Sequence, residues 1–158
     1  HAENTCGSTA FTVIVHLPNE MPTKFHKFMP ISYGSRSAIF IKAKSHRTDD
    51  ALRAYSPDVR KCFFEGERKL YFFKSYSKAH CDLECLTNET LKSCGCVLFN
   101  MPRNKTTRVC RFSEMGCMAK GYSDKRRNAL CDCHPPCNTL LYEVDYSPSN
   151  VIWKIPDE

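Results

Sequence analysis

Apolar residues alternate along the first part of the chain. Phe11, Val13, Val15 and Leu17 fall on one side, Thr12 and His16 on the other. Period two predicts a strand over Phe11 to Leu17, ended by Pro18-Asn19-Glu20-Met21-Pro22. Residues 23–36 hold Pro30 and Gly34 and read as a loop. Ser37 to Lys44 reads as a second strand, with Ile39, Ile41 and Ala43 sharing a face. A polar stretch, His46 to Arg53, leads to Tyr55-Ser56-Pro57, a turn signal.

Beyond Cys62 the period changes. Tyr76, Ala79, Leu83 and Leu86 recur at spacings of three and four, which predicts a helix with one apolar stripe. Cys81 and Cys85 share a face roughly opposite that stripe, so the helix is held on two sides. Residues 97–109 read as a polar loop. A second helix is expected from Phe112 to about Leu130, with Phe112, Met115, Met118 and Tyr122 in register. Gly116 and Gly121 weaken it by about 1 kcal/mol each relative to alanine. Pro135-Pro136 closes the helical region, and Leu140 to Tyr146 and Val151 to Ile155 read as extended.

Cysteine changes the picture most. Eleven cysteines stand in 158 residues, and ten of them lie between Cys62 and Cys137. The close pairs are Cys81/Cys85, Cys94/Cys96, Cys131/Cys133 and Cys133/Cys137, with no C-x2-C knuckle of the kind zinc sites use. Disulfides are therefore expected, and with them an oxidising compartment. Sequons at Asn88 and Asn104 agree, and both asparagines are expected to be exposed and glycosylated, Asn88 just after the first helix. Cys81 and Cys85 rise about 6 Å along a helix. Cys131 and Cys133 rise about 6.6 Å along an extended chain. Two bridges can thus serve as rungs between such segments, although ten cysteines allow roughly nine hundred connectivities. Cys6 is left to pair upstream or to remain a free thiol.

The net charge of +6 is mild and spread out. Arg103, Lys105, Arg108, Arg111 and the run Lys125-Arg126-Arg127 read as solvated surface, and no nucleic-acid partner is expected. His80 and His134 adjoin cysteines, but neighbouring residues supply too few further ligands for a metal. No nucleophile elbow, HExxH or glycine-rich phosphate loop occurs, so neither an enzyme nor a cofactor is expected. No run approaches the roughly 18 apolar residues of a membrane helix. The chain starts at His1 without methionine or a signal peptide, and is expected to be a piece of something longer.

The ordered residues form a long signature. It runs Tyr55-Ser56-Pro57, Cys62-Phe63-Phe64-Glu65, Glu67-Arg68-Lys69-Leu70, Phe73 and Tyr76, Cys81-x3-Cys85, Cys94-x-Cys96 and Met101-Pro102. It ends in Cys131-x-Cys133-x-Pro135-x-Cys137-x4-Tyr142. This resembles the extracellular domain of the epithelial sodium channel and degenerin superfamily, and its insect pickpocket branch most. The resemblance implies an α+β fold, with antiparallel palm strands and a two-helix thumb laced by five disulfides. It implies the pairs Cys62–Cys137, Cys81–Cys133, Cys85–Cys131, Cys94–Cys117 and Cys96–Cys110. It divides the chain into β-ball and palm strands over 1–60, a thumb over 61–139 and a returning palm strand over 140–158.

By that resemblance the chain is an extracellular regulatory part of a trimeric, amiloride-sensitive-type sodium channel at the plasma membrane. Its partners would be other subunits, in a homo- or heterotrimer, and an unidentified extracellular ligand. Sodium would be conducted only by the full channel. A secreted cysteine-rich binding protein or inhibitor is the other reading. Two departures stand out. Relatives often place an aromatic just before the first thumb cysteine, where this chain has Val59-Arg60-Lys61, leaving Tyr55 as a substitute. Acid-sensing relatives carry several carboxylates on the second thumb helix. Here Glu114 and Asp124 are the only ones between Cys110 and Cys131, so a proton-binding pocket there is not expected.

Overall fold

A computed structural model describes residues 10–23, 26–32, 36–114, 116–117 and 131–149. The fold is mixed α+β, and the described residues include antiparallel strands, the two α-helices named below and five disulfides. Strand β1 (Ala10–Ile14) pairs antiparallel with β2 (Phe28–Ser32), and β3 (Arg36–His46) with β4 (Thr139–Ser149). A 3-10 turn, Asp50–Ala54, and the short helix α1 (Pro57–Arg60) lead to the cysteine-rich region. Helix α2 (Lys78–Cys94) is its main element.

Several sequence expectations change. The first strand stops at Ile14, three residues before Leu17, because β2 pairs only that far. Residues 28–32, expected in a loop, form β2. Pro30 cannot donate to a ladder, yet it is tolerated in a strand with one partner, opposite Thr12. Tyr55-Ser56-Pro57 opens a helix rather than a plain turn: Ser56 is the N-cap and Pro57 occupies the first turn, where its missing N–H costs nothing. Helix α2 runs on to Cys94, so Asn88 lies inside it and not after it. The expected second helix opens as a 3-10 turn, Phe112–Glu114. Residues 118–130, most of that helix, and residues 151–155 lie outside the described residues.

Helix α2 is defined at both ends. The Ser77 hydroxyl accepts the His80 N–H at 3.1 Å, and Gly95 closes the helix at φ +64° with its N–H on Leu91 O. Leu86 packs with Val97 and Met101 in the helix's own small core. Thr87 and Thr90 are buried, and their hydroxyls donate to Leu83 O and Leu86 O. The other side of the helix faces Cys131 and Cys133 through its cysteines. A second core joins Cys62, Phe64 and Cys137.

The two ribbons touch through Tyr146, whose hydroxyl donates to Pro30 O at 2.8 Å, and through Lys27, whose Nζ donates to Val144 O. On β4, Tyr142, Val144 and Tyr146 are half-buried while their neighbours are exposed, the period of a sheet face. Phe40 and Ile41 on β3 remain exposed.

Candidate functional site: the disulfide ladder and its base

Five bridges nest around α2. Cys62–Cys137 is outermost, 75 residues apart in sequence, followed by Cys81–Cys133, Cys85–Cys131, Cys94–Cys117 and Cys96–Cys110. Their Cα separations run from 4.9 to 6.0 Å, in the range of unforced bridges. Both ends of the ladder carry a backbone bridge as well. Phe63 N–H donates to Pro135 O and Cys137 N–H to Phe63 O, while Val97 N–H donates to Arg108 O and Cys110 N–H to Val97 O. Each terminal disulfide is thereby locked by two hydrogen bonds at the adjoining residue.

The base of the ladder is built from charge on an aromatic ring. Phe64 is 2% exposed, and the guanidiniums of Arg53 and Arg60 lie 4.0 and 4.9 Å from its ring centroid. Arg60 also donates to Cys62 O and pairs with Glu67, which in turn accepts Phe64 N–H at 2.7 Å. Desolvation pushes the Glu67 carboxyl up, but the Phe64 amide and the Arg60 guanidinium outweigh it and hold the group below its ordinary value. Arg60, two residues before the first cysteine of the ladder, is therefore spent inward. Tyr55 and Val59, 56% and 67% exposed, face outward on the same segment.

Polar clamps then fasten the 65–77 segment and the return chain to α2. Glu84 accepts the N–H groups of Tyr71 and Phe72 at 3.1 and 2.8 Å. Tyr76 donates its hydroxyl to His134 O and sets its ring edge-on to Phe63, and burial pushes its phenol up to about 12. Lys78 Nζ donates to Cys133 O at 2.7 Å. His80, 3% exposed, stacks on Phe73 with centroids 4.0 Å apart and accepts Met21 N–H. Glu84 carries no motif that sequence could flag and His80 is marked only as a cysteine neighbour, since a hydrogen bond to a distant backbone amide leaves no local pattern.

The remaining sequence candidates separate. Asn88 and Asn104 are both exposed. Arg103, Lys105, Arg108 and Arg111 are exposed too, and Lys125 to Arg127 lie outside the described residues, as does Cys6. Glu114 accepts from Arg108 Nη1 at 2.8 Å and from Arg111 N–H at 2.7 Å, and these hold its carboxyl down at about 2. Asp124 lies outside the described residues. His134 does meet further donors: Asp132 and Asp58 lie 3.2 and 3.7 Å from its Nε2, a set that could take a metal only at the surface, since the carboxylates are 52% and 81% exposed. Among the described residues, no helix is long and apolar enough to cross a membrane.

The chain's relatives fit this architecture. The family model described as "Amiloride-sensitive sodium channel" matches residues 1–156. Pickpocket protein 28 of Drosophila melanogaster is 29% identical over 92% of this chain, and Pickpocket protein 11 of the same species is 30% identical over 86%. Acid-sensing ion channel 4-B of Danio rerio is 24% identical over 85%. The chain spans about a quarter of the length of these relatives (25%, 27% and 23%). The family consists of ion channels rather than enzymes. The match across nearly the whole chain, with pickpocket proteins among the relatives, makes this chain a pickpocket-like member of the amiloride-sensitive sodium channel family.

Proposed function

We propose that this chain is the extracellular regulatory part of a trimeric sodium channel subunit at the plasma membrane. In this reading the disulfide-laced thumb (61–139) is a stiff lever. The ribbon of β3 and β4 is the palm, the hairpin of β1 and β2 belongs to the β-ball, and both connect the thumb to a pore encoded elsewhere in the subunit.

The observation that carries the reading is the closure of the ladder's base. A lever needs a rigid body and a fixed root. Five nested bridges supply the body, each removing roughly 3 to 4.5 kcal/mol of unfolded-chain freedom when taken singly. The root is the Cys62–Cys137 bridge with its flanking hydrogen bonds, from which the chain passes directly into β4. Thr48 adds a second tie to that root, donating its hydroxyl to Cys137 O at 2.7 Å and its N–H to Asn138. Movement of the thumb is thus delivered to both strands of the β3–β4 ribbon. Exposed Tyr55 and Val59 offer the adjoining surface for contact with the membrane-spanning part of the subunit.

The test is to express the complete subunit with its flanking sequence, alone and with candidate partner subunits, and record whole-cell current. Sodium current blocked by amiloride, together with crosslinking to a trimer, is the expected result. A product secreted into the medium without current would replace this reading by that of a free cysteine-rich binding protein.

A further inference from the structure

Helix α2 is joined to the turn between β1 and β2 by the His80 imidazole, which acts as a hydrogen-bond acceptor. His80 Nε2 receives the Met21 N–H at 2.9 Å, and its Nδ1 lies 3.2 Å from Ser75 O. A carbonyl can only accept, so Nδ1 carries the hydrogen and Nε2 the lone pair. Two residues after Met21, the Thr23 N–H donates to His26 Nδ1 at 3.1 Å, while the His26 Nε2 lies 3.4 Å from Glu20. That ring therefore has the opposite tautomer, with the hydrogen at Nε2. Two backbone amides of one turn thus end on unprotonated ring nitrogens, and His16 sits edge-on to His26 at 6.0 Å.

We infer that the turn Leu17 to Thr23 is a pH-sensitive latch, with His80 as its pin. A proton on His80 Nε2 replaces the acceptor by a donor that faces another donor, the Met21 N–H. The ring is 3% exposed and stacked on Phe73, so the added charge has little water to turn to. Latching and protonation of His80 exclude one another. The latch is closed while Nε2 is unprotonated and opens when that nitrogen takes a proton. His26 behaves differently: Thr23 O lies 3.3 Å from its Nδ1 and can accept a hydrogen placed there. It rearranges where His80 must release.

The other charged groups on the packed elements are already engaged or exposed. On the turn, Glu20 serves His26. Ahead of the helix, Lys74 is exposed. On α2, Lys78 holds Cys133 O and Asp82, and Glu84 holds the amides of Tyr71 and Phe72. The buried Tyr76 phenol stays neutral throughout this range. None of these supplies an acceptor at His80 Nε2 among the described contacts, so the proton there breaks the link. The device lies far in sequence from Glu114, whose carboxylate stays ionised throughout. It stands on the turn's own geometry, independent of any conducting role.

The test is amide hydrogen exchange by NMR on the oxidised chain between pH 7.5 and 5, corrected for intrinsic exchange rates. Protection of Met21 should fall about tenfold, the worth of one buried hydrogen bond, while Gly95, bonded to Leu91 O, holds steady. In His80→Gln, whose amide oxygen accepts without titrating, Met21 protection should not change with pH. Unchanged protection in the wild type, or the same fall in His80→Gln, would overturn the latch. Should that variant not fold, nitrogen shifts of the wild-type ring decide: the Nδ1–H tautomer at pH 7.5 supports the latch, and the Nε2–H tautomer contradicts it.

Discussion

Phe64 shows how single residues set the base of the disulfide ladder. Its ring is enclosed by Arg53 and Arg60, and its amide is taken by Glu67. Phe64→Ala removes a buried aromatic and both cation contacts, and should cost about 3 to 5 kcal/mol in a denaturant melt. Glu67 and Glu114 both titrate below the ordinary carboxylate range, Glu114 at about 2. A depressed folded value means stability that is present above the unfolded value and lost as pH falls through the folded one. Acid unfolding curves should therefore shift to higher pH in Glu67→Gln, and a carbon-detected titration should show Glu114 still ionised at pH 4. The two sequons also differ. Asn104 and Thr106 are exposed in a loop, whereas Asn88 lies within α2 and Thr90 is buried with its hydroxyl on Leu86 O. Glycopeptide mapping of secreted material should find Asn104 more fully occupied than Asn88.

Elements are legible in the sequence where a local rule governs them. The spacing of Leu83 and Leu86 marks the inward face of α2, whereas its ends at Ser77 and Gly95 are seen as caps only in the structure. Gly95 sits at φ +64°, and no atom lies within 4 Å of the point to which a methyl group there would project. Gly95→Ala should therefore cost only the left-handed backbone penalty, about 1 kcal/mol, by thermal melt. Strand β2 is not legible. Pro30 signals a breaker by local rules, and only the partner strand with Tyr146 across the fold rescues it. The run from Val15 to Leu17 continues an alternating pattern past the end of β1, because alternation records preference and pairing requires a partner. The buried histidine at position 80 stands in the sequence only as a cysteine neighbour. Its role depends on Met21, 59 residues away, which no spacing encodes.

At the scale of the whole molecule, cysteine order points to the family directly, since ten cysteines at fixed spacings seldom recur by chance, whereas the clamps by Glu84, Tyr76 and Lys78 emerge only in three dimensions. The two ribbons are small, and Phe40 and Ile41 on β3 are exposed. In the proposed function, the disulfide-laced region moves as one rigid body and its basic segment after Cys110 does not sense protons. The most direct measurement compares Cys85→Ser with Cys131→Ser against Glu114→Gln with Asp124→Asn in the complete channel, recording surface expression and gating across pH. Losing the rung should impair gating or assembly, while the carboxylate pair should leave the pH response intact. Normal gating without the rung, together with loss of the pH response in the carboxylate pair, would contradict it.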